Sequence, residues 1–508
     1  MEIALSAFLG EIAQRSVSFF ISKLSKEATS LPSDENLHRK LLRICIIVEE
    51  AEGRQIRNQA MLEQLKVLRA GMYRGYYALD TFKYQPYKED EGEDDEVSHY
   101  YSFAISKFNP AKRIQLRGRS SQQGGERELH QVLGSLDVTI TDAREFLMFL
   151  KGCPLLYHRL YSTYMVLENC MFGRHVEMEH IINFLMQNCA PGSTGDFGVL
   201  PIVGPPKAGK STLVEHVCSD ERVRTAFSRI VFFAGDLEGR IACVRDGGTV
   251  RHQSHASESR DGSVLVVVEV NGDISEATWS SLCSASKRFS TTNGGNKFIV
   301  CSRSDKIVRF GTTRALKVEN LTQEAFWYFF KALVFGGADP QEEPKLASMA
   351  MEIAAWLNCS FIAGNAIARM LRDNLSAKFW RMALTSFREV NQRYRFIFGA
   401  QPVNPSQNRK MIRRLNGSNE YCSIFNGYQI VSSQEDAPVI TVQEVLSGSV
   451  VPRGELFDFL AWRSSIPPYH SYTCSCEIHD EVADHEASRE KAALARHKRS
   501  TGLKNKWL

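Results

Sequence analysis

Residues 199–217 read VLPIVGPPKAGKSTLVEHV. Positions 204–212 of that stretch, GPPKAGKST, fit the pattern G-x-x-x-x-G-K-[ST] with no mismatch. An apolar strand of Val199, Leu200, Ile202 and Val203 leads in, and STLVEHV leads out as a helix. Each loop residue then has a physical job. Gly204 and Gly209 let the backbone curl so that successive N–H groups face inward. Pro205, Pro206, Lys207 and Ala208 span the loop between them. The helix starts at the loop, so its positive end faces bound phosphates. Lys210 is a point charge for the terminal phosphates, Ser211 is a candidate Mg²⁺ ligand, and Thr212 closes the pattern. The expected ligand is the phosphate chain of a nucleotide with Mg²⁺.

Outward from this loop the text stays in the same register. RIVFF (229–233), VLVVVEV (264–270) and KFIVCS (297–302) are short, β-branched apolar runs with helical segments between them. That alternation predicts a parallel α/β sheet. Residues 244–262, VRDGGTVRHQSHASESRDG, are rich in Gly, Ser, Arg and His and read as a surface loop. A strand facing a phosphate loop should end in acids that hold the metal shell and orient water. Here the end is Glu269 followed by Val270. Glu269 can serve the metal, with one methylene more than Asp, whereas Val270 can neither accept a proton nor orient water. The next acid, Asp273, lies beyond the Asn271-Gly272 turn and is expected to point elsewhere. Arg303, just after the fourth strand, reads either as a γ-phosphate contact or as a solvated strand-end arginine.

On the N-terminal side three helical patterns stand before residue 86: Leu5, Phe8, Leu9 and Ile12; Leu37, Leu41, Ile44 and Val48; Leu62, Leu65 and Leu68. They predict a small antiparallel bundle over 1–85. An acidic block (Glu89 to Glu96) and a following basic, Ser/Gln/Gly-containing stretch read as a charged linker over 86–125. Residues 126–171 read as a helical connector. The α/β domain is expected over 172–320 and a further helical domain over 321–400, where Phe326, Trp327, Phe329 and Phe330 read as core. Residues 401–508 carry no clear pattern and end in an irregular basic tail. The fold class is therefore multidomain α and α/β: an N-terminal helical bundle, a central P-loop parallel sheet and a helical region after it.

Composition excludes some classes. The chain has 508 residues, 43% hydrophobic and 24% charged, as in ordinary globular proteins. A net charge of +4 gives the whole chain no nucleic-acid-binding character. MEIALSAFLGEIAQ has Glu2 and Glu11 where a signal peptide has a basic end and an unbroken apolar core. No run approaches the ~18 apolar residues of a membrane span. A cytoplasmic location is expected, with the nucleus as the alternative if the tail Arg496-His497-Lys498-Arg499 acts as an import patch rather than a solvated end. The 12 cysteines are scattered and read as small buried hydrophobes. Cys474, Cys476, His470, His479 and His485 lack zinc-knuckle spacing. No L-x-x-L-x-L repeat occurs in the chain.

Taken in order, these segments resemble the plant NLR-type disease-resistance proteins, in which an Rx-like coiled-coil domain precedes an NB-ARC domain. FGRHVEMEHIINFLMQ (172–187) is similar to the motif that opens NB-ARC domains. VLVVVEVNGDISEATWSSL is similar to the family's LLVLDDVW region, and NKFIVCSRSDKI to its SKIIVTTRSDKV strand. Residues 1–85 resemble the N-terminal helical domain. Departures accompany the likeness. Asp-Asp is Glu269-Val270, Thr-Thr-Arg is Cys301-Ser302-Arg303, and Gly-Leu-Pro-Leu is Asn358-Cys359-Ser360-Phe361. The family's acidic bundle motif is Tyr76-Tyr77-Ala78-Leu79-Asp80. His479-Asp480 faintly resembles the Met-His-Asp motif that contacts ADP. The resemblance implies a disease-resistance role in innate immunity as a nucleotide-dependent switch or adaptor. Its helical N-terminal domain would bind protein partners, including full-length relatives. The missing second acid argues for little or no hydrolysis. The alternatives are a working ATPase with an acid from elsewhere, and a scaffold that needs no nucleotide.

Overall fold

A computed structural model describes residues 32–84, 121–156, 171–187, 197–234, 249–253, 263–270, 272–286, 296–398, 410–416, 420–431, 437–449 and 456–480. The helical pattern at 5–24, the acidic block at 89–96 and the basic tail lie outside these residues.

Helices α1 (Pro32–Glu52), α2 (Gln59–Lys83) and α3 (Ser121–Leu150) form the N-terminal bundle. Asn58 starts α2 by accepting from the amides of Ala60 (2.8 Å) and Met61 (3.4 Å). Leu37, Leu41, Ile44 and Val48 of α1 meet Leu62, Leu65, Leu68 and Met72 of α2 in one core. Leu133, Leu136, Phe146 and Leu150 of α3 complete that core. The expected connector over 126–171 is thus corrected: its helix is the third member of the bundle. Residues 121–125, assigned to the charged linker, already belong to it. Two paired helices still expose an apolar face, and the stripe on α3 covers it.

After α4 (His175–Met186) comes the sheet: β1 (Gly198–Val203), β2 (Arg229–Ala234), β3 (Thr249–Gln253), β4 (Val264–Glu269), β5 (Lys297–Ser302) and β6 (Leu316–Lys317). The order is β3-β2-β4-β5-β1-β6. All neighbours run parallel except β3, which pairs antiparallel with β2 at the edge. Part of the expected 244–262 loop is therefore a strand. Its Thr and Val suit an edge, where backbone pairing on one side suffices and no apolar run is needed. Side chains alternate between the faces. Leu200, Ile202, Leu265, Val267, Ile299 and Cys301 face α4, α5 (Lys210–Ser219) and α6 (Glu221–Ala226). Val203, Val264, Val266, Val268 and Val300 face Ile274, Ile307 and Leu282 of α7 (Glu276–Ser286).

Four helices follow: α8 (Gln323–Phe335), α9 (Pro344–Trp356), α10 (Phe361–Arg372) and α11 (Ala377–Phe398). Phe326, Trp327, Phe329 and Phe330 are all buried in their core, as expected. The bundle docks on this region. Tyr73 and Tyr76 of α2 lie 5.2 and 5.6 Å from the ring of Tyr328, and Phe172 lies 5.2 Å from Phe329. Buried Asp80 accepts from Trp327 Nε1 (2.8 Å) and Lys331 Nζ (2.5 Å).

Within 410–480, where the sequence carries no clear pattern, the structure has a second sheet. Strands β7 (Lys410–Arg413), β8 (Glu420–Val431), β9 (Phe457–Arg463) and β10 (Ser471–Asp480) form an antiparallel sheet in the order β7-β8-β10-β9. Helix α12 (Val442–Ser447) packs on it and opens with a capping box between Thr441 and Glu444. Cys422, Cys474, Cys476, Val445, Phe459 and Ala461 form its core. Cysteines and small residues carry the inner face, so the alternation is faint on a hydropathy scale. Among the described residues no group of three or more His, Cys, Asp or Glu could hold a metal ion. No described helix is long and apolar enough to cross a membrane.

Candidate functional site

The 204–212 loop bridges β1 and α5 as its pattern requires. Gly204 lies so close to the segment after β6 that a Cβ would come within 2.0 Å of the Val318 carbonyl oxygen. Val318 N in turn donates to Val203 O at 2.8 Å, which fixes this contact. Gly209 has φ +88°, and a Cβ there would meet only open space. It stands at the N-cap of α5 with no side-chain cap. The first amides of α5 thus have no side-chain oxygen supplied by the N-cap, the arrangement in which helix N-termini take anions. Lys210 Nζ bends back to the carbonyls of Gly204 (2.7 Å) and Pro205 (2.8 Å). Burial pushes its pKa down, Cys301 and Glu269 oppose that shift, and Arg303 adds to it. Lys210, Cys301, Arg303 and Glu269 therefore share one electrostatic neighbourhood. Pro205, Pro206, Lys207 and Ser211 are exposed around the rim, Thr212 is half-buried and Ala208 is buried. Lys207 also has a left-handed φ of +63°.

Glu269 ends β4 in register with Cys301, and Cys301 is in register with Ile202 of β1. Two strand spacings, about 10 Å, separate the backbones of Glu269 and Ile202. Glu269 shares the parity of Leu265 and Val267, so it belongs to the sheet face that carries α5. Glu reaches one methylene further from that strand end than Asp would. Val270 has the opposite parity: its N–H donates to Cys301 O (3.0 Å) and its side chain joins the cluster of Ile274 and Trp279. Between the two strands, burial holds the Cys301 thiol well above its usual range, which makes it an inert wall. Ser302 Oγ donates to Gly272 O (2.6 Å) and receives Ser304 N (3.1 Å), tying the turn after β4 to β5. Arg303 follows as an exposed residue at the strand end. Asp273 Oδ2 lies 2.6 Å from Lys306 Nζ, and that hydrogen bond holds its carboxyl below the usual range. Its ion-pair partner is thus Lys306, just after β5.

The FGRHVEM stretch also carries charges, to which its likeness to an NB-ARC opening motif assigns no role. Arg174 Nη2 donates to Ala208 O in the loop (3.0 Å) and to Glu319 O after β6. Glu177 pairs with it at 3.4 Å. Glu179, with no exposure, is held by Arg222 at 2.6 and 3.1 Å. The available signal was three charged residues inside an otherwise apolar helical pattern with nothing polar to face. Asn358 (φ +49°) and Cys359 (φ +54°) make a left-handed turn between α9 and α10. Ser360 then caps α10. His479 and Asp480 lie on β10, opposite Tyr421 and Glu420, and His479 Nε2 is 3.3 Å from Ser423 Oγ.

A mixed α/β chain with a Gly-Lys-Ser loop at the end of a parallel sheet is the class defined so far. No family model matches the chain. Among curated proteins it is similar to disease resistance protein RGA2 of Solanum bulbocastanum, 23% identical over 60% of this chain and 31% of that protein. It is also similar to disease resistance RPP13-like protein 1 of Arabidopsis thaliana, 24% identical over 76% of this chain and 37% of that protein. Disease resistance protein RGA1 of Solanum bulbocastanum is 21% identical over 66% of this chain and 33% of that protein. The chain spans about a third of the length of these relatives.

Proposed function

We propose that this chain acts in plant disease resistance as a nucleotide-dependent switch or adaptor. It holds ADP or ATP with Mg²⁺ at residues 204–212 and turns the nucleotide over slowly or not at all. The observation that carries the reading is the uncapped start of α5 behind Gly209, with Lys210 reaching across the loop mouth. Backbone amides there would take the phosphates, and Lys210 would leave the carbonyls of Gly204 and Pro205 for them. Ser211 and Glu269 would hold Mg²⁺, which screens the phosphate charge. Arg303 would reach the terminal phosphate from the end of β5. Slow turnover follows from Val270 and Asp273, because neither directs an acid at attacking water. The names of the relatives support the defence role. Protein partners, including longer relatives, would meet the N-terminal bundle on the faces that α4 and α8 leave open. Calorimetric titration of wild type and Lys210→Ala with ADP and ATP tests the reading. Expected is micromolar binding by wild type and a loss of at least ~10-fold in the variant. Wild type that binds neither nucleotide below millimolar rejects it. Phosphate release above background that Glu269→Gln abolishes would instead support a working ATPase.

A further inference from the structure

We propose that Arg69, on the N-terminal bundle, is a positioning residue for the 204–212 loop and acts through Glu177 and Arg174. The proposal rests on the reading of that loop as a nucleotide cradle. Arg69, Glu177 and Arg174 are 6%, 7% and 5% exposed and form a line from α2 to the loop. Glu177 Oε2 lies 3.8 Å from Arg69 Nη2, and Glu177 Oε1 lies 3.4 Å from Arg174 Nη1. On the bundle side Glu52 Oε1 lies 3.6 Å from Arg69 Nη1. On the loop side Arg174 reaches Ala208 O and Glu319 O.

Two buried guanidinium groups thus share one carboxylate. Neither closes on it fully: Arg69 Nη1, Glu177 Oε2 and Arg174 Nε have no hydrogen-bond partner. Apolar side chains of similar size would often stabilise such a site as well, so stability alone does not explain the charges. Sharing does give linkage, because whatever Arg69 draws from Glu177 is withheld from Arg174. With Arg69 removed, Glu177 can close on Arg174 with both oxygens in the bidentate geometry that arginine favours. A guanidinium held that way turns from the Ala208 carbonyl, and the loop loses its restraint. Docking of the bundle therefore preorganises the loop, and binding at the loop strengthens docking by the same factor.

The test uses the full chain as wild type, Arg69→Gln, Arg69→Lys, Arg174→Gln and the double glutamine variant. Amide hydrogen exchange without nucleotide is expected to rise at 204–212 in Arg69→Gln while α2 and β1 stay protected. ADP affinity is expected to fall about 5-fold in Arg69→Gln and to recover for the most part in Arg69→Lys. The double variant should bind ADP no more weakly than Arg174→Gln. Unchanged exchange at 204–212, a rise spread over α2 and β1, or additive losses of affinity would overturn the relay. If wild type does not bind ADP, the nucleotide reading fails, and the exchange measurement still decides whether Arg69 positions the loop.

Discussion

Replacing Asp80 isolates the charge that joins the N-terminal bundle to the helical region. Its side chain is 8% exposed and accepts from Trp327 Nε1 and Lys331 Nζ, 247 and 251 residues away. Asp80→Asn keeps an oxygen for Trp327 and removes only the charge. A unit pair near 4 Å is worth about 4 kcal/mol at an effective dielectric of 20, and the desolvation that a buried carboxylate no longer suffers offsets part of it. The Lys331 side chain retains 20% exposure and recovers some hydration. A net loss of about 1–3 kcal/mol is therefore expected for Asp80→Asn. Asp80→Ala also strands the indole N–H, which adds about 1–3 kcal/mol. Thermal unfolding of a chain with several cores need not be two-state, so the assay is a double-mutant cycle read by hydrogen exchange of α2 and α8. Asp80→Asn, Lys331→Met and the double variant should show a coupling of about 1–2 kcal/mol. Additive single effects, or a cost below about 0.5 kcal/mol for Asp80→Ala, would refute the reasoning.

Three further outcomes follow from the same geometry. His175 is buried with neither ring nitrogen bonded, and burial, then Arg69 and Arg222, push its pKa down to about 3. The unfolded chain takes that proton near pH 6.5 and the folded chain does not, so stability is full above pH 6.5 and falls toward pH 3. Denaturant titrations at pH 6.5 and pH 5 should differ by about 1.6 kcal/mol from this group, a difference that His175→Leu removes. At the turn between α9 and α10, Asn358→Val should cost about 1–2 kcal/mol and Asn358→Gly almost nothing in melting experiments, because φ is +49° there. In the loop, Gly204→Ala should lower the melting temperature more than Gly209→Ala, since only the first drives a Cβ into a backbone oxygen. Equal effects would contradict the packing of Val318 against Gly204.

What was legible in the sequence follows from where each signal lives. Strands β1, β4 and β5 are buried on both faces, so each is a continuous apolar run and reads as such. The face of Glu269 follows from strand geometry alone, since position 269 shares the parity of Leu265 and Val267. The C-terminal sheet was not legible, because Cys422, Cys474 and Cys476 do the work of larger apolar residues. The role of α3 was hidden because periodicity gives a helix its face but not its partner. Arg174 and Asp80 were missed for a related reason. Charges in an apolar helical pattern read as a solvated face, and the partners Ala208, Trp327 and Lys331 lie far along the chain.

Val270 is more than a missing acid. The strand's alternation turns position 270 to the face opposite α5, where Ile274, Trp279 and Phe310 collect. Its N–H is already committed to Cys301 O. An aspartate installed there would set a half-buried carboxylate beside apolar side chains, at a cost of about 1–3 kcal/mol, without aiming it at the loop. Val270→Asp should therefore melt earlier and release phosphate no faster than wild type at saturating ATP. A rate that rose 10-fold or more would mean that position 270 does face the nucleotide. The slow turnover proposed here would then rest on one side chain rather than on the geometry of the strand end.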